Sequence, residues 1–298
     1  MSSLIEPELL RRLERLQVLS RRTRSRQAPG ERKSGHRGRS VEFAEHRDYT
    51  FGDDFRHIDW NAYGRLERLF LKLFVEEREQ TVTVLVDRSA SMTCSSPLGP
   101  QGPSKFDFAR KLAAALSYIA LCSYDRVAVG LLGQKLEDYQ QPVRGRNQAL
   151  ALFRFLEGAE CRGEGQLDAA LTDYVRRYPR PGMAIVLSDF LVPGAGITGL
   201  KHLRYQKYEV FALQVLHPGE LSPEPGGDLK LVDVESQGTR DLTLTSGVLR
   251  AYRAALQRHN QELEAWCKKT GCGYLQASTV EALEGLVVGA LRRSGLLQ

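Results

Sequence analysis

The stretch that most restricts what this chain can fold into is Thr81-Val-Thr-Val-Leu-Val-Asp87-Arg-Ser89-Ala-Ser91-Met92. A run of mostly β-branched and apolar residues ends abruptly in an aspartate and two serines at alternating positions. A short, continuously apolar run of this kind reads as a strand buried on both faces, the usual setting of a parallel sheet. The polar burst falls at its C-terminal end, where open α/β sheets place their ligand sites. Asp87, Ser89 and Ser91 can project oxygen atoms from one tight loop toward a single point. A carboxylate with two hydroxyls suits Mg²⁺ or another hard divalent ion better than Zn²⁺. The plainer alternative is a strand end closed by an Asx or Ser turn.

The chain beyond this loop supports an α/β reading. Ser104 can cap a helix running to about Cys122, with Phe108, Leu112, Ala115, Leu116 and Ile119 on its buried face. Strands are expected at Arg126–Leu132, Leu136–Val143, Met183–Asp189, Tyr208–Leu216, Leu229–Glu235, Arg240–Thr243 and Gly273–Ala277. Helices are expected at 146–156, 167–178, 197–206, 246–270 and 280–292. Strands alternating with helices predict a doubly wound, mostly parallel sheet flanked by helices. Residues 81–298 then form one domain, preceded by a polar-aromatic block and edge strand at 41–80 packed on its core. An N-terminal extension, a helix from about Glu6 and a basic linker, occupies 1–40.

Charge is concentrated at that end. Residues 1–40 carry eleven Lys and Arg against four Asp and Glu, or +7, which leaves the rest at −1 for a net +6. The basic stretch Arg21–Ser40 could bind nucleic acid, but no aromatic residue is interleaved for base stacking, so a solvated linker is the expectation. No apolar run reaches the roughly 18–20 residues that span a bilayer, and no signal-peptide core is evident. The five cysteines show no C-x-x-C pair, which points to reduced thiols and a cytoplasmic setting. Phosphate-loop and nucleophile-elbow motifs are missing. His202, His217 and His259 are scattered and read as solvent-facing.

The block 41–63 contains Arg47, Tyr49, Gly52, Asp53, Asp54, Arg56, His57, Asp59 and Trp60. Its aspartates and histidine could form a hydrolase metal cluster. The interleaved arginines and aromatics favour instead a structural corner in which carboxylates pair with Arg47 and Arg56.

Two resemblances rest on these residues. The D-x-S-x-S at Asp87, Ser89 and Ser91 resembles the metal-ion-dependent adhesion site of von Willebrand factor type A domains. The ordered series R-x-Y-x-x-G-D-D-x-R-x-I-D-W, then R-L-F-L-K-L-F-x-E-E, then D-x-S-x-S-M resembles the bacterial family called domain of unknown function 58. The first resemblance implies a second aspartate at a later strand end, which Asp189 supplies, and a metal, Mg²⁺ or Mn²⁺, held by Asp87, Ser89, Ser91 and Asp189. It also implies a threonine in a loop before a helix, where this chain has Gly163-Glu-Gly165-Gln-Leu167. With Gly165 at that position the ion site is expected to be weak or vacant. The family resemblance implies a non-enzymatic adaptor whose partner is a MoxR-type AAA+ ATPase. The competing readings are a metal-dependent hydrolase centred on Asp53–Asp59 and a basic-tailed nucleic-acid binder.

Overall fold

The apolar run before Asp87 does form a buried strand, and the flanking chain builds two layers of helix on the sheet around it. The computed structural model describes residues 4–18, 41–51, 53–55, 58–76, 81–93, 102–223, 227–232 and 238–297. The basic stretch 21–40, Arg56 and His57 lie outside the described residues. Two compact units result, Gln27–Glu79 and the combination of Met1–Arg26 with Gln80–Gln298.

In the smaller unit β1 (Val41–Asp48) pairs antiparallel with β2 (Phe70–Glu76), with an irregularity between Phe43 and Glu45. Strand β1 falls where the sequence suggested an irregular block. Helix α2 (Trp60–Leu66) begins where the Asp59 carboxylate accepts the backbone N–H of Asn61 at 3.0 Å and of Ala62 at 3.2 Å. The expected corner is present at Arg47, whose guanidinium donates to Asp53 at 2.8 Å. Asp53 also accepts the Thr50 N–H at 2.9 Å. That bond first, and Arg47 in addition, hold its carboxyl below the usual carboxylate range. Asp59 serves as a helix cap, so both carboxylates have structural duties.

The larger unit holds a six-stranded sheet of β3 (Thr81–Asp87), β4 (Arg126–Leu132), β5 (Leu136–Arg144), β6 (Met183–Ser188), β7 (Glu209–Leu216) and β10 (Gly273–Ser278). Across the sheet the order is β10-β7-β6-β3-β4-β5, and every pairing is parallel except that of the edge strand β5. A separate hairpin joins β8 (Gly227–Val232) to β9 (Thr239–Leu244). Strand β2, expected at the edge of the core, pairs with β1 and is not among the six.

Side chains alternate across the sheet as the pleat requires. Val82, Val84, Val86, Ile185 and Leu187 enter one core with α1 (Pro7–Leu13), α3 (Lys105–Cys122), α4 (Ala149–Glu157) and the C-terminal turns. Leu85, Ala184 and Val186 enter the other, with α5 (Leu167–Arg177), α6 (Ile197–Tyr205) and α8 (Ser246–Thr270). Helix α3 is buried almost all round, which explains its run of alanines at 113–115. Its start is fixed by Ser104, whose Oγ accepts the Asp107 N–H at 3.0 Å.

The N-terminal segment is integral to this unit. Leu4, Ile5, Leu13 and Leu16 are buried in the first core, and Val18 bridges to Leu297. Complete burial of Leu13 is worth about 2 kcal/mol. Glu14 accepts hydrogen bonds from Tyr118 Oη at 3.0 Å and from Arg146. No described helix is long and apolar enough to cross a membrane.

Candidate functional site

Strand β3 is followed in sequence by β4 on one side, and the chain then returns to place β6 on the other. Neighbouring strands therefore run away in opposite directions from the β3–β6 pair, a topological switch point where the strand ends diverge and leave a crevice. Asp87 is the last residue of β3, and Asp189 follows the last residue of β6. The sequence-predicted residues thus meet at one edge. Asp87, Ser89 and Asp189 are buried, while Ser91 is half-buried toward the rim.

Both oxygens of Asp87 are engaged. Oδ1 accepts the Ser89 N–H at 2.9 Å, and Oδ2 accepts the Ser188 hydroxyl at 2.6 Å. The Ser89 and Ser91 hydroxyls share a hydrogen bond at 3.0 Å. Burial, and then the charge of Asp189, push the Asp87 carboxyl up to about 6 against the hydrogen bonds that favour its ionised form.

Asp189 is answered by a residue that sequence reading overlooked. Lys105, the first residue of α3, is 1% exposed and places its ammonium 2.6 Å from Asp189 Oδ2 and 2.6 Å from Glu220 Oε1. Burial works to lower the Lys105 pKa, but Asp189 and Glu220 together raise it above the ordinary lysine value. Glu220 belongs to α7 (Pro218–Leu221) and accepts the His217 N–H at 2.8 Å in a capping box. His217, expected at the surface, is fully buried, with Nδ1 accepting the Gly219 N–H at 3.1 Å. Its burial follows from capping a helix that is tied to Lys105.

The strand-end loop after β6 is held from several directions. Leu191 N–H donates to Asp189 Oδ1 at 3.0 Å, and Gln214 Nε2 donates to the Asp189 carbonyl at 2.9 Å. His259 Nε2 donates to the Phe190 carbonyl at 2.7 Å. Phe190 itself is buried with φ at +54°, a left-handed conformation that non-glycine residues adopt at a cost. On the other side, Arg88 turns away from the crevice and donates Nε to the Glu160 carbonyl at 2.8 Å while pairing with Asp138.

The loop in which a threonine was expected does lie against the Asp87–Ser91 loop, by backbone. The Gly163 carbonyl accepts the Ala90 N–H at 2.9 Å, and the Arg88 carbonyl accepts the Arg162 N–H at 3.0 Å. Glu164 is exposed. A metal bridging the two aspartates would thus find one carboxylate bound to an ammonium and both oxygens of the other already accepting internal donors. With Lys105 in this position the donor set does not fit a divalent ion, and no group of three His, Cys, Asp or Glu side chains among the described residues is placed to hold one. Cys122, Cys161, Cys267 and Cys272 are free thiols.

Several known proteins are similar to this chain. The family described as "Protein of unknown function DUF58" matches residues 45–262. Uncharacterized proteins of Mycobacterium bovis and Mycobacterium tuberculosis are each 28% identical over 242 residues, covering 79% of this chain and 73% of theirs. Among solved structures, the conserved hypothetical protein BatB from Bacteroides thetaiotaomicron aligns over 72% of this chain and 98% of its own, at 15% identity and a TM-score of 0.44. An aerotolerance-related membrane protein from Bacteroides fragilis gives the same coverages, at 16% identity and a TM-score of 0.47. The SpRpn10 VWA domain aligns over 71% of this chain and 94% of its own, at 10% identity and a TM-score of 0.39.

Proposed function

This chain belongs to the DUF58 family, and we propose that it is a non-enzymatic interaction module that grips a protein partner with the C-terminal edge of its sheet. The observation that carries this reading is the convergence of Asp87, Ser89, Ser91 and Asp189 at the switch point, on loops braced internally and from α3 and β7. A pre-braced polar edge loses little conformational freedom when a partner docks, which favours binding. The carboxylates there are engaged by backbone, hydroxyl and ammonium donors, an arrangement suited to holding shape rather than to moving protons. The partner we propose is a MoxR-type AAA+ ATPase, to which the protein acts as an adaptor. Ser91, half-buried, and Leu191, exposed beside Asp189, form the accessible part of the contact.

The test is calorimetric titration of the full chain against a MoxR-type AAA+ ATPase of the same organism, with Ser91→Arg and Leu191→Asp as surface variants. Each should weaken binding at least about tenfold, equivalent to about 1.4 kcal/mol, while leaving the melting transition in place. Undiminished binding by both variants would place the partner surface elsewhere.

A further inference from the structure

Three acidic groups, Asp87, Asp189 and Glu220, gather at the edge, and the first two are almost wholly withdrawn from water. Buried carboxylates need a positive charge or must surrender their own. The family of ion-binding edges that this sequence resembles would supply a divalent metal. Here the cation at the acid pair is covalent. Lys105 stands at the first position of α3, immediately after the Ser104 cap, where the helix dipole disfavours positive charge. A buried ammonium in that position is retained only if its surroundings more than compensate, and the carboxylates at 2.6 Å on either side do so.

We infer that the Lys105 ammonium is the permanent counter-ion of this edge, standing where a divalent metal would otherwise neutralise Asp189, and that the edge is assembled and metal-free in its working state. Four independent features agree with this. Both Asp87 oxygens accept internal donors. The two serine hydroxyls bond to each other. Gly165 brings no side-chain oxygen. The neighbouring loop docks through the Gly163 carbonyl rather than through a hydroxyl. Mg²⁺ demands near-ideal octahedral oxygen ligation and dehydrates reluctantly, so it gains little from what is left. The same ammonium also links the start of α3, the end of β6 and the short helix α7, three segments that a metal would otherwise have to gather. Resting on the interaction reading above, this implies that the partner is met by hydroxyls, backbone and shape instead of by a metal-bridged carboxylate.

The experiment is a Mn²⁺ titration of the full chain followed by electron paramagnetic resonance, with Mg²⁺ calorimetry alongside. The wild-type protein should leave the free-ion signal unchanged through millimolar Mn²⁺, and its melting temperature should be the same in EDTA as in Mg²⁺. Lys105→Met should acquire saturable Mn²⁺ binding that Lys105→Arg does not. Saturable binding by the wild type that is lost in Asp87→Asn would overturn the inference, and that measurement decides the matter even if Lys105→Met fails to fold. The titration involves no partner, so loss of the partner reading and loss of this one are separately visible.

Discussion

Replacing Lys105 by methionine tests the electrostatics of the edge through stability. The substitution keeps an unbranched four-atom stem and removes the ammonium, with its charge and its donors to Asp189 and Glu220. It leaves Asp189, whose side chain is 3% exposed, and Glu220, at 15%, without their shared cation. Breaking a buried ion pair by deleting one partner costs about 3–5 kcal/mol, because the remaining charge is stranded. Glu220 can turn partly toward water, so the cost should lie near the lower end, about 3 kcal/mol. For a protein of this size each kcal/mol shifts the melting temperature by about 2–4 °C, which predicts a fall of about 6–12 °C. Adding Asp189→Asn and Glu220→Gln to Lys105→Met removes the stranded charges and should restore most of the loss, since neutral replacement of a whole buried network is often close to neutral. Urea denaturation followed by circular dichroism and tryptophan fluorescence measures each variant. A loss below about 1 kcal/mol for Lys105→Met, with Asp189→Asn simply additive to it, would refute the buried-pair reasoning.

Single residues give further outcomes. Asp125 is pushed up to about 7 by burial, with Arg144 opposing, from its ordinary 3.8. Its stabilising contribution is complete below about pH 4 and is lost as pH rises through about 7, so Asp125→Asn should flatten that pH dependence and stabilise the protein by about 1–2 kcal/mol at pH 8; an unchanged profile in pH-dependent melts counts against it. Ser104→Ala removes the cap of α3 and should cost about 1 kcal/mol in denaturant titration. Asp59→Ala should cost about 1–2 kcal/mol through loss of the α2 cap, read as faster amide exchange at Asn61 and Ala62. Gly273→Ala places a methyl 2.1 Å from the Phe211 ring and should destabilise by about 1–3 kcal/mol, whereas no change would mean β10 sits further from β7.

Much of this architecture is legible in the chain because its local signals agree. Strand β3 is β-branched and mostly apolar, α3 opens with Ser104 and Asp107, and α8 closes at Gly271, whose φ of +71° is a left-handed helix stop. Both acids of the site follow from the same logic, being polar residues at the carboxyl ends of buried strands. The rest is long-range. Lys105 lies 84 residues from Asp189 and 115 from Glu220 in sequence, and neither separation leaves a periodic trace. The one local hint is a lysine at the start of a helix, where the dipole opposes it. His217 is hidden for a similar reason, since only the folded position of α7 makes its cap a buried one. Strand β1 is masked in the sequence by its charged residues, because a two-stranded pairing tolerates polar side chains that a central strand could not.

The strained residue of the edge brings these parts together. Phe190 pays for a left-handed backbone with burial of its ring, and the turn that it makes lets Asp189 face Lys105 while Leu191 emerges to solvent. A left-handed residue of this kind costs about 1–2 kcal/mol and persists only where its surroundings over-determine it. Here they do: Ser188 Oγ accepts its N–H at 3.0 Å, His259 donates to its carbonyl, and Gln214 fixes the residue before it. The bracing partners come from β6, α8 and β7, so the loop cannot relax without disturbing three elements. A loop held in this way presents Leu191 and the serine pair in one arrangement. Because Asp189 behind it is already paired with Lys105, the partner proposed above would meet hydroxyls, backbone and Leu191 rather than a free Asp189 carboxylate.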